Sequence, residues 1–216
     1  MIRPISQIAP LLARGWQTHC KNAGEAAITF DDGPDPKTTP MLLKTLDDLG
    51  LKATMFVVGQ KCKGNRSLLQ EIAAQGHSIA CHGYSHEKHW FREPSFVQAS
   101  VRQSLYILQD FGVKMELLFR PPYGAIDWRL HKRVTEIGAV PVLWSAHVRD
   151  WKPQEDSALL TRMSAAVHDR MILLMHDGHV TTPQVISQLW FLRDRIESMG
   201  LKSVALKCEN AIRIVA

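Results

Sequence analysis

Seven short apolar runs, separated by longer stretches of helical period, constrain the fold of this chain more than any other feature. They are AAITF (26–30), ATMFVVG (53–59), HSIAC (77–81), LLF (117–119), AVPVLW (139–144), MILLM (171–175) and KSVAL (202–206), the last being the weakest. Nearly continuous apolar runs of this length read as strands covered on both faces. Between them, TTPMLLKTLDDLG offers Thr39 as a helix N-cap, Pro40 in the first turn and Gly50 as a stop. NRSLLQEIAAQG begins at a Ser and ends at Gly76, and PSFVQASVRQSLYILQDFG sets Phe96, Val97, Val101, Leu105 and Leu108 along one side. DWRLHKRVTEIG, EDSALLTRMSAAVHD and TTPQVISQLWFLRDRIESMG follow the same design. Six or seven such repeats without a low-complexity linker predict one α/β domain built on parallel strands.

The polar residues that interrupt this pattern stand directly after the runs. Asp31 and Asp32 follow the first, His82 and His86 the third, Arg120 the fourth, Trp144 to Trp151 the fifth and His176 the sixth. A barrel of parallel strands delivers reactive groups at its C-terminal rim in this way. An open doubly wound sheet would also collect them there, so position gives the barrel a modest preference.

Composition excludes some classes. The 216 residues carry a net charge of +5, with 45% hydrophobic and 22% charged residues, ordinary values for a globular chain. No Lys/Arg-rich run or aromatic ladder supports nucleic-acid binding. Cys20, Cys62, Cys81 and Cys208 lack C-x-x-C spacing and read as reduced thiols. Near the N-terminus, Ile5, Ile8, Leu11 and Leu12 are interrupted by Pro4, Pro10 and Arg14, which fits neither a membrane span nor an export signal. A cytoplasmic or membrane-peripheral location is the expectation. The short amphipathic start and the basic charge permit contact with a membrane surface.

CHGYSH (81–86) spaces two histidines four apart, as a divalent metal site would. Two ordinary histidines are the commoner reading of such a pair unless another segment supplies a carboxylate. Asp31-Asp32 can supply it, one carboxylate binding the cation while its neighbour accepts a proton. The pair also fits an acidic turn into Gly33-Pro34. Adjacent residues at a strand end are expected to point to opposite sides. FRPPYG (119–124) sets Arg120 before a stiff turn in which free N–H groups begin at Tyr123. That arginine suits either a bidentate carboxylate contact or a surface ion pair. Asp150 lies between Trp144 and Trp151, residues that wall pockets but more often fill cores. His176 ends an apolar strand, where a core histidine is the bland reading and a carboxylate such as Asp150 would tune its charge.

TFDDGP (29–34), HGYSH (82–86), RPPYG (120–124), WSAHVRDW (144–151) and LLMH (173–176) together resemble the five ordered motifs of the polysaccharide deacetylases, carbohydrate esterase family 4, the NodB homology domain. The resemblance runs from about Glu25 to the C-terminus, dividing the chain into an N-terminal extension (1–24) and a catalytic domain (25–216). It implies a single-domain, distorted (β/α)7-8 TIM-like barrel that hydrolyses N-acetyl groups of amino sugars with a divalent metal, zinc first. It further implies Asp32, His82 and His86 as metal ligands, Asp31 as general base and His176 as general acid. Arg120 would orient Asp31, and Asp150 would hold His176. Leu174 and Trp151 would border the acetyl methyl group, the Tyr123 amide would face the oxyanion, and Pro121 belongs with them on the substrate side. Gly83 stands where Ser or Thr is usual, Cys81 where Asn is frequent and His147 where Asp is frequent, which leaves the substrate open. A metal-dependent amidohydrolase for a non-sugar amide and a non-catalytic sugar-binding relic are the alternatives.

Overall fold

The computed structural model describes residues 15–208; the apolar positions Ile5 to Leu12 lie outside them. Among the described residues, eight strands form one curled parallel sheet: β1 (Glu25–Asp31), β2 (Ala53–Val57), β3 (Ser78–Cys81), β4 (Leu118–Phe119), β5 (Val140–Pro141), β6 (Ala146–His147), β7 (Ile172–His176) and β8 (Lys202–Ser203). Their order is β5-β4-β3-β2-β1-β7-β6, with β8 paired to the start of β1. The run read as one strand over 139–144 is strand only at Val140–Pro141, and a second short strand, Ala146–His147, follows it on one continuous stretch. Its start pairs with β4 and its end with β7, so this stretch closes the barrel. Because it diverges between its two partners, Gln17 bridges to Val142 and His19 to Met171 in the gap. Trp16 and Cys20 are buried, so the segment ahead of Glu25 packs on the body as far as it is described.

Helices α1 (Thr39–Asp48), α2 (Gly59–Cys62), α3 (Arg66–Ala74), α4 (Pro94–Asp110), α5 (Leu130–Glu136), α6 (Asp156–Ala166), α7 (Thr182–Ser187) and α8 (Leu189–Ser198) alternate with the strands. Thr38, not Thr39, precedes the first helical residue of α1. The Thr39 hydroxyl is used instead by Asp177, which it meets in a short hydrogen bond. The final periodic stretch is two helices that part at Gln188. In α4 the fully buried residues are Val97, Ser100, Val101, Ser104 and Leu108; Leu105 packs partly buried on the core and Phe96 is half-buried, so two serines join the expected apolar side. Among the described residues no helix is long and apolar enough to cross a membrane. Cys20, Cys62 and Cys81 are buried thiols, which burial raises to about 11, 12 and 11.

The strand period of two sorts side chains into two cores. Ile28, Phe30, Met55, Val57, Ile79, Leu173 and Met175 pack against the helices. Ala27, Phe56, Ala80, Leu118 and Ile172 fill the barrel interior, with Leu206 from the C-terminal segment packed beside them. Continuing the interior parity upward gives Thr29 and Asp31 on β1, Leu174 and His176 on β7, then His82 and Arg120 just past β3 and β4. Register places Asp31 opposite His176. The polar rim is therefore the interior layer carried to its open end.

Candidate active site

Asp31 is buried at the end of β1 and Asp32 follows with φ +73°. That left-handed residue reverses the expected alternation, and both carboxylates line one cleft of about 690 Å³. Arg120, fully buried, donates from Nη1 to Asp31 Oδ1 at 2.7 Å and to Thr29 Oγ1 at 2.7 Å, and from Nη2 to the Leu143 carbonyl at 2.9 Å. Its guanidinium lies 4.0 Å from the Phe56 ring centroid. Burial lowers the Arg120 pKa and the Asp31 charge opposes that shift. The arginine is thus a buried partner of Asp31, not a surface ion pair.

His82 and His86 hang on the turn after β3. The His82 N–H donates to the Val57 carbonyl at 2.9 Å, and the Gly59 and Gln60 N–H groups of α2 donate to the Gly83 and Tyr84 carbonyls. His82 Nδ1 lies 2.8 Å from the Arg120 carbonyl; a carbonyl only accepts, so Nδ1 carries hydrogen and Nε2 is the ring nitrogen left to offer a lone pair to a cation in the cleft. That nitrogen stands 3.3 Å from Asp32 Oδ1, and His86 Nε2 stands 2.8 Å from the same oxygen. Buried Oδ1 is nonetheless satisfied by no hydrogen bond. One ligand atom from each of Asp32, His82 and His86 lies within 4.8 Å of the others. A carboxylate oxygen facing a ring lone pair is costly without a cation between them, and two imidazoles with one carboxylate suit a borderline dication. The donor set fits the expected metal.

His179, which the sequence reading missed, holds the other Asp32 oxygen: Nε2 lies 2.7 Å from Oδ2. Burial by itself would raise the Asp32 pKa, but contacts with His179, His82 and His86 hold it far below the ordinary carboxylate range. With Oδ2 occupied, Oδ1 remains for the cluster. His179 lies in a loop after β7 where no period marks it; only its place three residues beyond His176 could have drawn notice.

His176 faces the cleft from β7. Buried Asp150 accepts the His176 N–H at 2.6 Å and meets Nδ1 at 3.0 Å, so Nε2 is presented to the cleft. Burial lowers the His176 pKa, but the Asp150 contact and charge, with Asp31 and Asp32 beyond, raise it on balance. Trp151 stands edge-on to the His176 ring at 5.6 Å. Tyr123 is exposed with φ +62°, its ring 4.6 Å from that of His86, and its N–H has no acceptor among the described residues. Tyr123, Trp151, Leu174 and also Trp144 line the cleft. Pro121 does not: it is buried, and its carbonyl closes the turn by accepting the Gly124 N–H at 3.0 Å. His147 stands 5.4 Å from Trp151 and is not among the lining residues.

Two unusual positions have structural reasons. Gly83 has φ +80°, and a Cβ there would come within 2.7 Å of the His89 ring, so a side chain at 83 is incompatible with the buried histidine. The hydroxyl absent from position 83 is replaced from α4, where Ser100 Oγ accepts the Tyr84 N–H at 2.8 Å and meets His89 Nε2 at 2.9 Å. Cys81 is buried, with Sγ 3.4 Å from the Gly83 N–H.

These features define an α/β barrel protein whose rim gathers a metal-type cluster, a buried carboxylate and a carboxylate-held histidine in one cleft. The chain belongs to the polysaccharide deacetylase family, whose model matches residues 18–142. A peptidoglycan-N-acetylglucosamine deacetylase of Bacillus cereus is 30% identical over 182 residues, covering 83% of this chain and 85% of the relative. One from Listeria monocytogenes is 32% identical over 157 residues, covering 72% of this chain, which spans only 33% of that longer protein. The family 4 carbohydrate esterase of Streptomyces lividans, solved in complex with acetate, superposes with a TM-score of 0.76 at 28% identity, covering 85% of this chain and 92% of its own.

Proposed function

We propose that the chain is a metal-dependent deacetylase that hydrolyses the N-acetyl group of an amino-sugar unit in a glycan, releasing acetate and a free amine. The observation that carries this reading is that Asp31 and His176, register partners on neighbouring strands, line the same cleft as the Asp32, His82 and His86 cluster, which supports a proton acceptor and a proton donor working beside a cation. The names of the relatives support N-acetylglucosamine as the sugar.

Asp32, His82 and His86 would hold the cation, which when bound supplies Lewis-acid polarisation of the acetyl carbonyl and a lowered pKa for water. Asp31, one oxygen pinned by Arg120, takes the proton of the attacking water through the other. The Tyr123 N–H donates to the oxygen that gains charge as water adds to the carbonyl carbon. His176 Nε2 delivers a proton to nitrogen as the C–N bond breaks, the bonding pair leaving with the amine. Leu174 and Trp151 give the acetyl methyl group an apolar wall.

His176 must be protonated to act, so the alkaline limb of kcat/KM reports the loss of its proton. Asp150 raises its pKa; Asp150→Asn is therefore expected to move that limb to lower pH, and an unmoved limb would remove His176 as the acid. The reading as a whole is tested by acetate release from N-acetylated chito-oligosaccharides and peptidoglycan, with and without chelator. Release that chelator abolishes and added metal restores is the expected result. Acetate from acetylated polyamines alone would replace the sugar by a small amine.

A further inference from the structure

We infer that an exposed strip of aromatic and cationic side chains, leading out of the cleft, binds further units of a carboxylate-bearing glycan chain; this rests on the deacetylase reading above. The strip starts at Tyr123 in the cleft wall. Lys88 Nζ stands 5.7 Å from the Tyr123 ring centroid and 5.6 Å from that of Trp90. Trp90 adjoins Phe91 at 5.5 Å, and the Arg129 guanidinium lies 5.9 Å from Phe91 and 5.2 Å from Trp128. Trp90, Phe91 and Trp128 are 43, 62 and 72% exposed, a contiguous apolar surface of the kind that marks a binding site.

The strip is built, not loose. Phe91 has φ +53°, a strained conformation for a bulky side chain. The Phe91 N–H donates to the buried Asp127 carboxylate, which also accepts the Arg129 and Leu130 N–H groups at 2.7 and 2.9 Å. One buried group thus joins the loop carrying Phe91 to the one carrying Trp128. Buried Arg133 donates to the Arg92 carbonyl, and buried His89 anchors the same loop to Ser100. These polar residues fix large apolar side chains that face solvent among the described residues.

The chemistry of the strip fits a sugar chain. Flat aromatic faces stack on the C–H faces of sugar rings, a contact of the scale of an aromatic pair. Arg92 is spent on Glu87 at 3.1 Å, whereas Lys88 and Arg129 enter no ion pair among the described residues. Unneutralised cations between aromatic faces select carboxylate-bearing units over neutral ones. Tryptophan beside lysine also suits a membrane surface, but continuity with Tyr123 favours a chain whose reacting unit occupies the cleft.

KM for acetylated chito-oligosaccharides of two to six units, and for peptidoglycan glycan strands, tests this with the metal-loaded protein. The wild type is expected to improve with length. Trp90→Ala and Trp128→Ala should each remove roughly threefold to tenfold of that gain. Lys88→Gln with Arg129→Gln should raise KM more for the carboxylate-bearing strands and flatten its salt dependence. A KM independent of length, or a length gain intact in both Trp variants, would overturn the inference. So would phosphatidylglycerol vesicles that sediment wild type but not Trp90→Ala while the length gain survives. Absence of acetate from every glycan would instead overturn the deacetylase reading. Calorimetry with glycan strands then decides the strip: weaker binding by Trp90→Ala supports it, and unchanged binding sinks it.

Discussion

Asp31→Asn is expected to retain its metal and lose roughly 10²- to 10⁴-fold in turnover, the usual contribution of a positioned proton acceptor. The amide is nearly isosteric, and its oxygen can still accept from Arg120 Nη1, now 2.7 Å from Asp31 Oδ1. What it loses is basicity at the other oxygen, which lies 3.7 Å from His82 Nε2 beside the cluster. Asp32→Asn should do the reverse. Its Oδ1 is the oxygen shared by His82 and His86, so removing that charge should empty the site first and stop turnover as a consequence. Elemental analysis beside steady-state kinetics separates the two. Equal metal loss in both variants would contradict the division of labour between the adjacent carboxylates.

The parts of this site that a sequence can disclose are those tied to the strand period. Asp31, His82, Arg120 and His176 continue runs whose apolar character marks them as strands, so their place at the barrel rim follows from where each run stops. The inward turn of Asp32 depends on one positive φ, which no alternation rule contains. His179 and Asp177 sit in a loop without period, yet His179 occupies the free oxygen of Asp32 and Asp177 ties the end of β7 to the start of α1. The barrel closure was hidden for a related reason. Two-residue strands leave too little pattern, and the stretch 140–147 serves both β4 and β7 by diverging between them. The glycine at 83 is intelligible only beside His89, six residues on and folded back against it. Patterning discloses layers, and contacts across loops disclose how the rim is completed.

Arg120→Met should destabilise the chelated protein by roughly 3–5 kcal/mol, the cost of removing one partner of a buried ion pair. In a chain of this size that corresponds to a fall in Tm of about 6–20 °C. The reasoning starts from burial: Arg120 and Asp31 are 0% and 3% exposed in their side chains, and little water can replace the lost guanidinium. Asp31 would be left as a buried carboxyl group without its cationic partner, while Thr29 Oγ1 and the Leu143 carbonyl would lose their donor. If uncompensated charge dominates, adding Asp31→Asn to Arg120→Met should recover much of the loss, because the remaining group is then neutral. Divalent metal should lessen the fall in the single variant by restoring a cation near Asp31. A double variant as unstable as Arg120→Met would show that lost packing against Phe56 and Trp144 sets the cost, since only the charge on Asp31 distinguishes the two.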